Sequence, residues 1–220
     1  MKKSAKRSMF SEELALARRG LSRVAGVDEA GRGPLAGPVV AAAVILPPWS
    51  EGLADDLAGV DDSKRLTPAR REALLPLIED RALAVGVCRV DPEEIERLNI
   101  LGATMTAMTR ALFRLSVEPQ YALVDGNRTP DGWPGPSRAL VGGDGRSVTI
   151  AAASIVAKIS RDRIMEAYDE QFPGYGFLDN KGYGSESHLQ ALERLGPTPV
   201  HRRSFCRNAL ERRRQKSLFD

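Results

Sequence analysis

Residues 23–46 read RVAGVDEAGRGPLAGPVVAAAVIL. Two apolar, β-branched-rich runs, Arg23–Asp28 and Gly37–Leu46, flank a glycine-rich bend, which is the pattern of two strands joined by a turn. Asp28 and Glu29 close the first run, directly before Gly31-Arg32-Gly33. Acids are poor strand residues, and two of them at a strand end are costly without a partner. In a regular strand they would point to opposite faces. A bend at the glycines would turn both toward one point.

Downstream the periods alternate. Thr67-Pro68 reads as an N-cap followed by proline in the first turn, opening a helix that runs to about Asp80. Arg81–Val90 reads as a strand. Asp91-Pro92-Glu93-Glu94 opens a second helix, with Glu94 placed for a capping box; it runs to about Leu115 with a break near Gly102. Tyr121–Val124 is a short strand ended by Asp125-Gly126-Asn127. Ala139–Val141 is a further strand candidate, Thr149–Phe172 a long helix rich in small residues, and Ser185–Leu195 one more helix. Pro47–Asp62 and Asn127–Pro136 read as loops. Strands and helices in mixed order argue for one α/β domain, and 220 residues suit that size. The last 15 or so residues read as a basic helical extension.

Composition sets the class. Hydrophobic residues are 42% and charged residues 28%, the mix of a folded globular chain. Cys88 and Cys206 cannot staple a chain of this length and read as reduced thiols. No run approaches the ~18 apolar residues of a membrane helix, and Met1–Phe10 lacks the apolar stretch of a signal peptide. The expected address is the cytoplasm and the expected state a monomer. Residues 1–23 carry seven Lys/Arg against two acids, and residues 201–220 do the same. The body between them is net acidic. Basic ends suggest a polyanionic partner. An acidic body can approach one if bound divalent metal inverts the local field.

Two more acids join Asp28 and Glu29 as candidates. Asp125 ends an apolar strand, and strand ends are where α/β sheets bind ligands. Asp144 sits in Gly142-Gly143-Asp144-Gly145, before the long helix. Each alone also reads as an ordinary turn acid. Four converging carboxylates would repel unless hard cations bind, and a two-metal site of that kind hydrolyses phosphodiesters. His188 and His201 are too few and wrongly spaced for zinc. Gly31-Arg32-Gly33 offers backbone N–H groups to an oxyanion or a sugar hydroxyl. Tyr183, between glycines in Lys181-Gly182-Tyr183-Gly184, reads as a packed turn tyrosine or as a ring for stacking on a sugar or base.

Together these segments resemble ribonuclease HII. The resemblance rests on residues 28–39, Asp62-Ser63-Lys64-Arg65-Leu66, Val124-Asp125-Gly126-Asn127, Ile150 to Lys158, residues 181–184, and Thr198 to Phe205. It implies an RNase H-like fold, a mixed β-sheet flanked by helices, with a C-terminal helical extension. The division it implies is a basic segment 1–22, a catalytic domain 23–205 and a basic tail 206–220. It implies endonucleolytic cleavage of RNA in RNA–DNA hybrids and of single ribonucleotides embedded in duplex DNA, with Mn²⁺ or Mg²⁺. By motif, Asp28, Glu29, Asp125 and Asp144 look like the metal-binding carboxylates. Gly31, Arg32 and Gly33 look like the loop that reads the 2′-hydroxyl, and Tyr183 like the aromatic at the RNA–DNA junction. Lys64, Lys158 and Arg32 are candidates for phosphate contacts. Gly143 departs from the family, which often has lysine before the fourth acid. The sister family, ribonuclease HIII, usually has threonine where this chain has Arg32. Two other readings stay open on the residues themselves. One is a nucleic-acid-binding protein without catalysis, using the basic ends. The other is a different metal nuclease on the same kind of sheet, indifferent to the 2′-hydroxyl.

Overall fold

The computed structural model describes residues 9–60 and 63–217. Five strands form one sheet: β1 (Val24–Ala30), β2 (Val39–Ile45), β3 (Ala84–Val90), β4 (Tyr121–Asp125) and β5 (Ser137–Leu140), in the order β3-β2-β1-β4-β5. β2 is antiparallel to β1 and β3, whereas β1, β4 and β5 run parallel. The two strands read from residues 23–46 are thus a hairpin at the sheet centre. Helices in chain order are α1 (Ser11–Ala17), α2 (Glu51–Asp56), α3 (Pro68–Arg81), α4 (Pro92–Phe113), α5 (Val148–Gln171), α6 (Phe177–Asn180), α7 (Glu186–Leu195) and α8 (Arg203–Ser217).

Residue alternation along β1 and β2 divides the core. Ala25, Val27, Ala41 and Ala43 pack against Ala103, Ala107, Ala111 and Leu112 of α4 on one face. Ala42 and Val44 pack against Ala151, Ala152, Ile155 and Ile159 of α5, with Leu74 and Ile78 of α3 behind them. Small residues on both sides of the second interface allow the close approach. A Cβ on Gly26 would lie 2.1 Å from the carbonyl carbon of Thr149.

Three local details differ from the sequence reading. The loop 47–62 holds the short helix α2, whose N-cap Ser50 accepts a hydrogen bond from the Leu53 amide. Asp91 makes no side-chain cap; Glu94 instead forms a two-pronged pair with Arg110, 2.8 and 2.9 Å, across the break at Asn99. The break in α4 falls at Asn99, whose φ is 56° and whose side chain accepts from the amides of Leu101 and Gly102. Asn99 therefore restarts the helix as a local cap.

The long helix α5 is aimed at the sheet by its own start. Ser147 caps it. Glu13 of α1 accepts from the Ser147 hydroxyl (2.6 Å), the Thr149 hydroxyl (2.8 Å) and the Thr149 amide (3.1 Å). A carboxylate at a helix N-terminus complements the exposed amides, and burial pushes its pKa upward.

A third packed region, built from α6, α7 and α8, surrounds Phe177, Tyr175 and Leu192. At its centre two buried histidines meet, His188 Nε2 to His201 Nε2 at 3.1 Å. The Thr198 amide donates to His201 Nδ1, so His201 carries its proton on Nε2 and donates to His188. His188 in turn donates from Nδ1 to the Tyr183 carbonyl, 2.8 Å. Every ring nitrogen is used, and both rings are neutral. Burial, with the neighbouring ring, lowers His201 from 6.5 to about 4, and burial lowers His188. A lowered histidine pKa contributes stability that is present above pH 6.5 and lost as pH falls from 6.5 toward about 4. For His201 the difference corresponds to about 3 kcal/mol. The urea midpoint should fall over that window, and the fall should be smaller in His201→Gln. An equal fall in the variant would show that other groups cause it.

Candidate active site

The parallel pairing of β1 and β4 brings two of the candidate acids together. Val27 and Val124 are register partners, so Asp28 and Asp125 follow side by side at the same end of the sheet. Residues in register on neighbouring strands share a face. The 3-10 turn Gly143–Gly145 adds Asp144 from above. One carboxylate oxygen from each of Asp28, Asp125 and Asp144 lies within 4.8 Å of the others. Gly142, with φ 63°, opens that turn. The Gly143 amide donates to Asp125 Oδ1 at 2.7 Å and fixes its rotamer.

Asp28 is the deepest of the three, 3% exposed. Burial, then the charges of Glu29 and Asp125, hold its carboxyl well above the usual carboxylate range, and a hydrogen bond from Ser154 opposes them. Ser154 in turn shares a 2.8 Å hydrogen bond with Ser63. Neither serine stands out in the sequence by itself, although Ser63 lies in the Asp62–Leu66 motif and Ser154 in the Ile150–Lys158 motif. Crowded carboxylates repel, and a shared proton or a cation relieves this. Their all-oxygen donor set fits a hard divalent ion such as Mg²⁺ or Mn²⁺. Glu29 lies beside the trio, its Oε1 3.4 Å from Arg32 Nη1.

The other candidates line an adjoining cleft of about 310 Å³, bounded by Glu29, Arg32, Gly33, Lys158, Arg161 and Tyr183. Gly31 has φ +94°, and a Cβ there would lie 2.0 Å from Arg161 Nε, so only glycine fits. Tyr183 is 49% exposed, facing Gly33. Its loop is tied to the glycine loop by the Leu35 amide donating to the Gly182 carbonyl at 2.8 Å. Lys158 pairs with Asp162 at 2.5 Å, and burial lowers its pKa. Lys64 lies in the 3-10 turn Ser63–Arg65, and its side chain is outside the described residues, as is Asp62. Arg71 fixes that turn by donating to the carbonyls of Ser63 and Leu66, 2.7 and 2.6 Å.

A mixed sheet of this order, with acids at the ends of the adjacent parallel strands β1 and β4, is the architecture of the RNase H-like fold. Among solved structures, ribonuclease H2 from Pyrococcus horikoshii OT3 superposes with a TM-score of 0.71. It is 32% identical, over 87% of this chain and 99% of that one. Bst-RNase HIII in complex with Mn²⁺ shares the fold at 22% identity and a TM-score of 0.67, over 90% of this chain and 72% of that one.

The ribonuclease HII family model matches residues 25–208. Ribonuclease HII of Geobacter sulfurreducens is 55% identical over 198 residues, covering 90% of this chain and 88% of that protein. Ribonuclease HII of Moorella thermoacetica is 53% identical over 198 residues, covering 90% and 93%. The chain belongs to the ribonuclease HII family. It is a ribonuclease H, a divalent-metal-dependent hydrolase that cleaves RNA in RNA–DNA hybrids. No helix among the described residues is long and apolar enough to cross a membrane.

Proposed function

We propose that this ribonuclease H nicks RNA–DNA hybrids and single ribonucleotides embedded in duplex DNA, on the 5′ side of the junction ribonucleotide. Ribonucleotide removal from DNA is then its role. The observation that carries the reading is the carboxylate trio opening beside a glycine-floored cleft with Tyr183 at its edge. Asp28, Glu29, Asp125 and Asp144 would hold Mn²⁺ or Mg²⁺, two ions in all. When bound, such ions supply an activated water and stabilise charge on the leaving oxygen.

The chain's own groups do the rest. Asp28 and Asp125, side by side, would flank the metal ions and so let the anionic scissile phosphate approach the acidic cluster. Glu29 and Asp144 complete the acidic set and orient water. The backbone of Gly31, Arg32 and Gly33 receives the 2′-hydroxyl, the group that tells RNA from DNA locally. Tyr183 stacks on the sugar or base at the junction. Arg32, Lys64 and Lys158 meet backbone phosphates, which position the duplex without reading sequence. The products are a 3′-hydroxyl and a 5′-phosphate. We assign the catalytic domain to residues 23–205, with basic segments 1–22 and 206–220 at its ends, acting as a monomer in the cytoplasm.

The test is a labelled duplex carrying one ribonucleotide, beside an all-DNA control, with Mn²⁺, Mg²⁺ or EDTA. Metal-dependent nicking 5′ to the ribonucleotide, and none in the control, is expected. Nicking of both duplexes would remove the 2′-hydroxyl reading, and binding without nicking would favour a role without catalysis.

A further inference from the structure

Two arginines lie buried beneath the Gly31–Pro38 loop, Arg161 of α5 at 1% exposure and Arg202, just before α8, at 0%. Burying a guanidinium is expensive unless its donors are satisfied. Among the described residues neither forms an ion pair; their N–H donors go to backbone carbonyls, while Arg161 also lies over the Tyr183 ring (5.9 Å) and Arg202 over the Phe205 ring (5.3 Å). Arg161 donates to Pro38 O and Ala36 O, both at 3.1 Å. Arg202 donates from Nε and Nη2 to Gly37 O (3.0 and 2.8 Å), from Nη1 to Arg32 O (2.9 Å) and from Nη2 to Gly31 O (2.6 Å). The two cations repel. Burial together with Arg161 lowers the Arg202 pKa to about 9.

The orientation of the peptides gives those charges a use. In a trans peptide the C=O and the N–H point in opposite directions, and the described chain has no cis bonds. With the carbonyls of Gly31 and Arg32 drawn toward Arg202, the amides of Arg32 and Gly33 point the opposite way. Residues 31–33 line the cleft. A cation on the carbonyl oxygen also polarises the peptide and strengthens its N–H as a donor.

We propose that Arg202 is a positioning residue for substrate discrimination, turning the Arg32 and Gly33 amides into the cleft as a donor pair for a ribose hydroxyl. This rests on the reading that residues 31–33 receive the 2′-hydroxyl. A site built around a substrate hydroxyl rejects the analogue lacking it strongly, because its donors are then stranded. Arg202 reaches the loop from 170 residues away in sequence. It arrives on a backbone frame: the Arg202 amide donates to Leu35 O at 2.7 Å, and the Gly37 amide to Val200 O at 2.8 Å. Lysine keeps the charge but is a single ammonium and cannot span three carbonyls in a fixed fork.

The test is Arg202→Lys, assayed on the single-ribonucleotide duplex with Mn²⁺, with all-DNA duplex affinity measured in parallel. Misplacing a reactant by about 1 Å costs roughly 100-fold, so kcat/KM should fall roughly 100-fold while all-DNA affinity is unchanged. An equal loss in both, or no loss, overturns the role of Arg202 and leaves the reading of the loop intact. A wild-type enzyme that nicks both duplexes alike overturns the reading and the proposal together. If the variant does not fold, hydrogen exchange on the wild-type protein decides. The Arg32 and Gly33 amides should exchange readily in the free protein and slow when the ribonucleotide duplex is added with EDTA. Amides already protected, or indifferent to that duplex, overturn the proposal.

Discussion

Asp125→Asn is expected to lose at least about 1,000-fold in turnover while melting within a few degrees of wild type. Asp125 ends β4, with its side chain half-buried. Its Oδ1 accepts the Gly143 amide at 2.7 Å. Asparagine is nearly the same shape and keeps an oxygen for that contact, so the turn that carries Asp144 retains its anchor. What disappears is the charge. A divalent ion stabilises transition-state charge by several kcal/mol, and each 1.4 kcal/mol is tenfold in rate. Losing the charge of one of the proposed anionic ligands therefore removes three powers of ten or more. Single-turnover assays in saturating Mn²⁺, beside a melting curve, check this. A variant that nicks normally would show that Asp125 is not part of the reacting site.

Gly26→Ala is expected to destabilise the fold by about 3 kcal/mol or more, toward the upper end for inserting atoms into a packed core. The added Cβ would sit 2.1 Å from the Thr149 carbonyl carbon and 2.2 Å from the Ile150 nitrogen. Both are backbone, so no rotamer change relieves the clash. β1 is held on both sides, by β2 and β4, and α5 must therefore move away. For a chain of this size the melting temperature should fall by roughly 10 °C. The start of α5 is also where Glu13 and Ser147 set the helix against the Asp144 turn, so activity should fall with stability. Gly52→Ala is the control: a Cβ there meets nothing within 4 Å, and alanine favours the helix. A Gly26→Ala protein that melts like wild type would mean that α5 and β1 do not approach as described.

These two residues also show what the sequence makes legible. The strand ending in Asp28-Glu29, the strand ending in Asp125 and the small-residue helix after Asp144 were readable because strand alternation and acids at strand ends leave a local pattern. Joint motifs then implied the mixed sheet that the structure displays. Arg161, Arg202 and the His188–His201 pair were not readable as contacts. Their partners are backbone carbonyls, or a second ring, brought near only by the tertiary fold, and a carbonyl leaves no trace in the residue type. Helix α2 was missed for a different reason: six residues between prolines, acids and glycines carry too little periodicity. At Asp91 the capping signal was present, but Glu94 found a stronger partner in Arg110 across the helix break.

In the proposed reaction, three carboxylates from β1, β4 and the Gly143–Gly145 turn, with Glu29 beside them, hold divalent metal for phosphodiester hydrolysis. Anomalous scattering from Mn²⁺ bound to the protein with an uncleavable ribonucleotide duplex tests it most directly. Mn²⁺ peaks ligated by Asp28 and Asp125 are expected, with Asp144 and Glu29 completing the shell and the scissile phosphate in contact. Mn²⁺ bound elsewhere, with these carboxylates empty or protonated beside the phosphate, would contradict it.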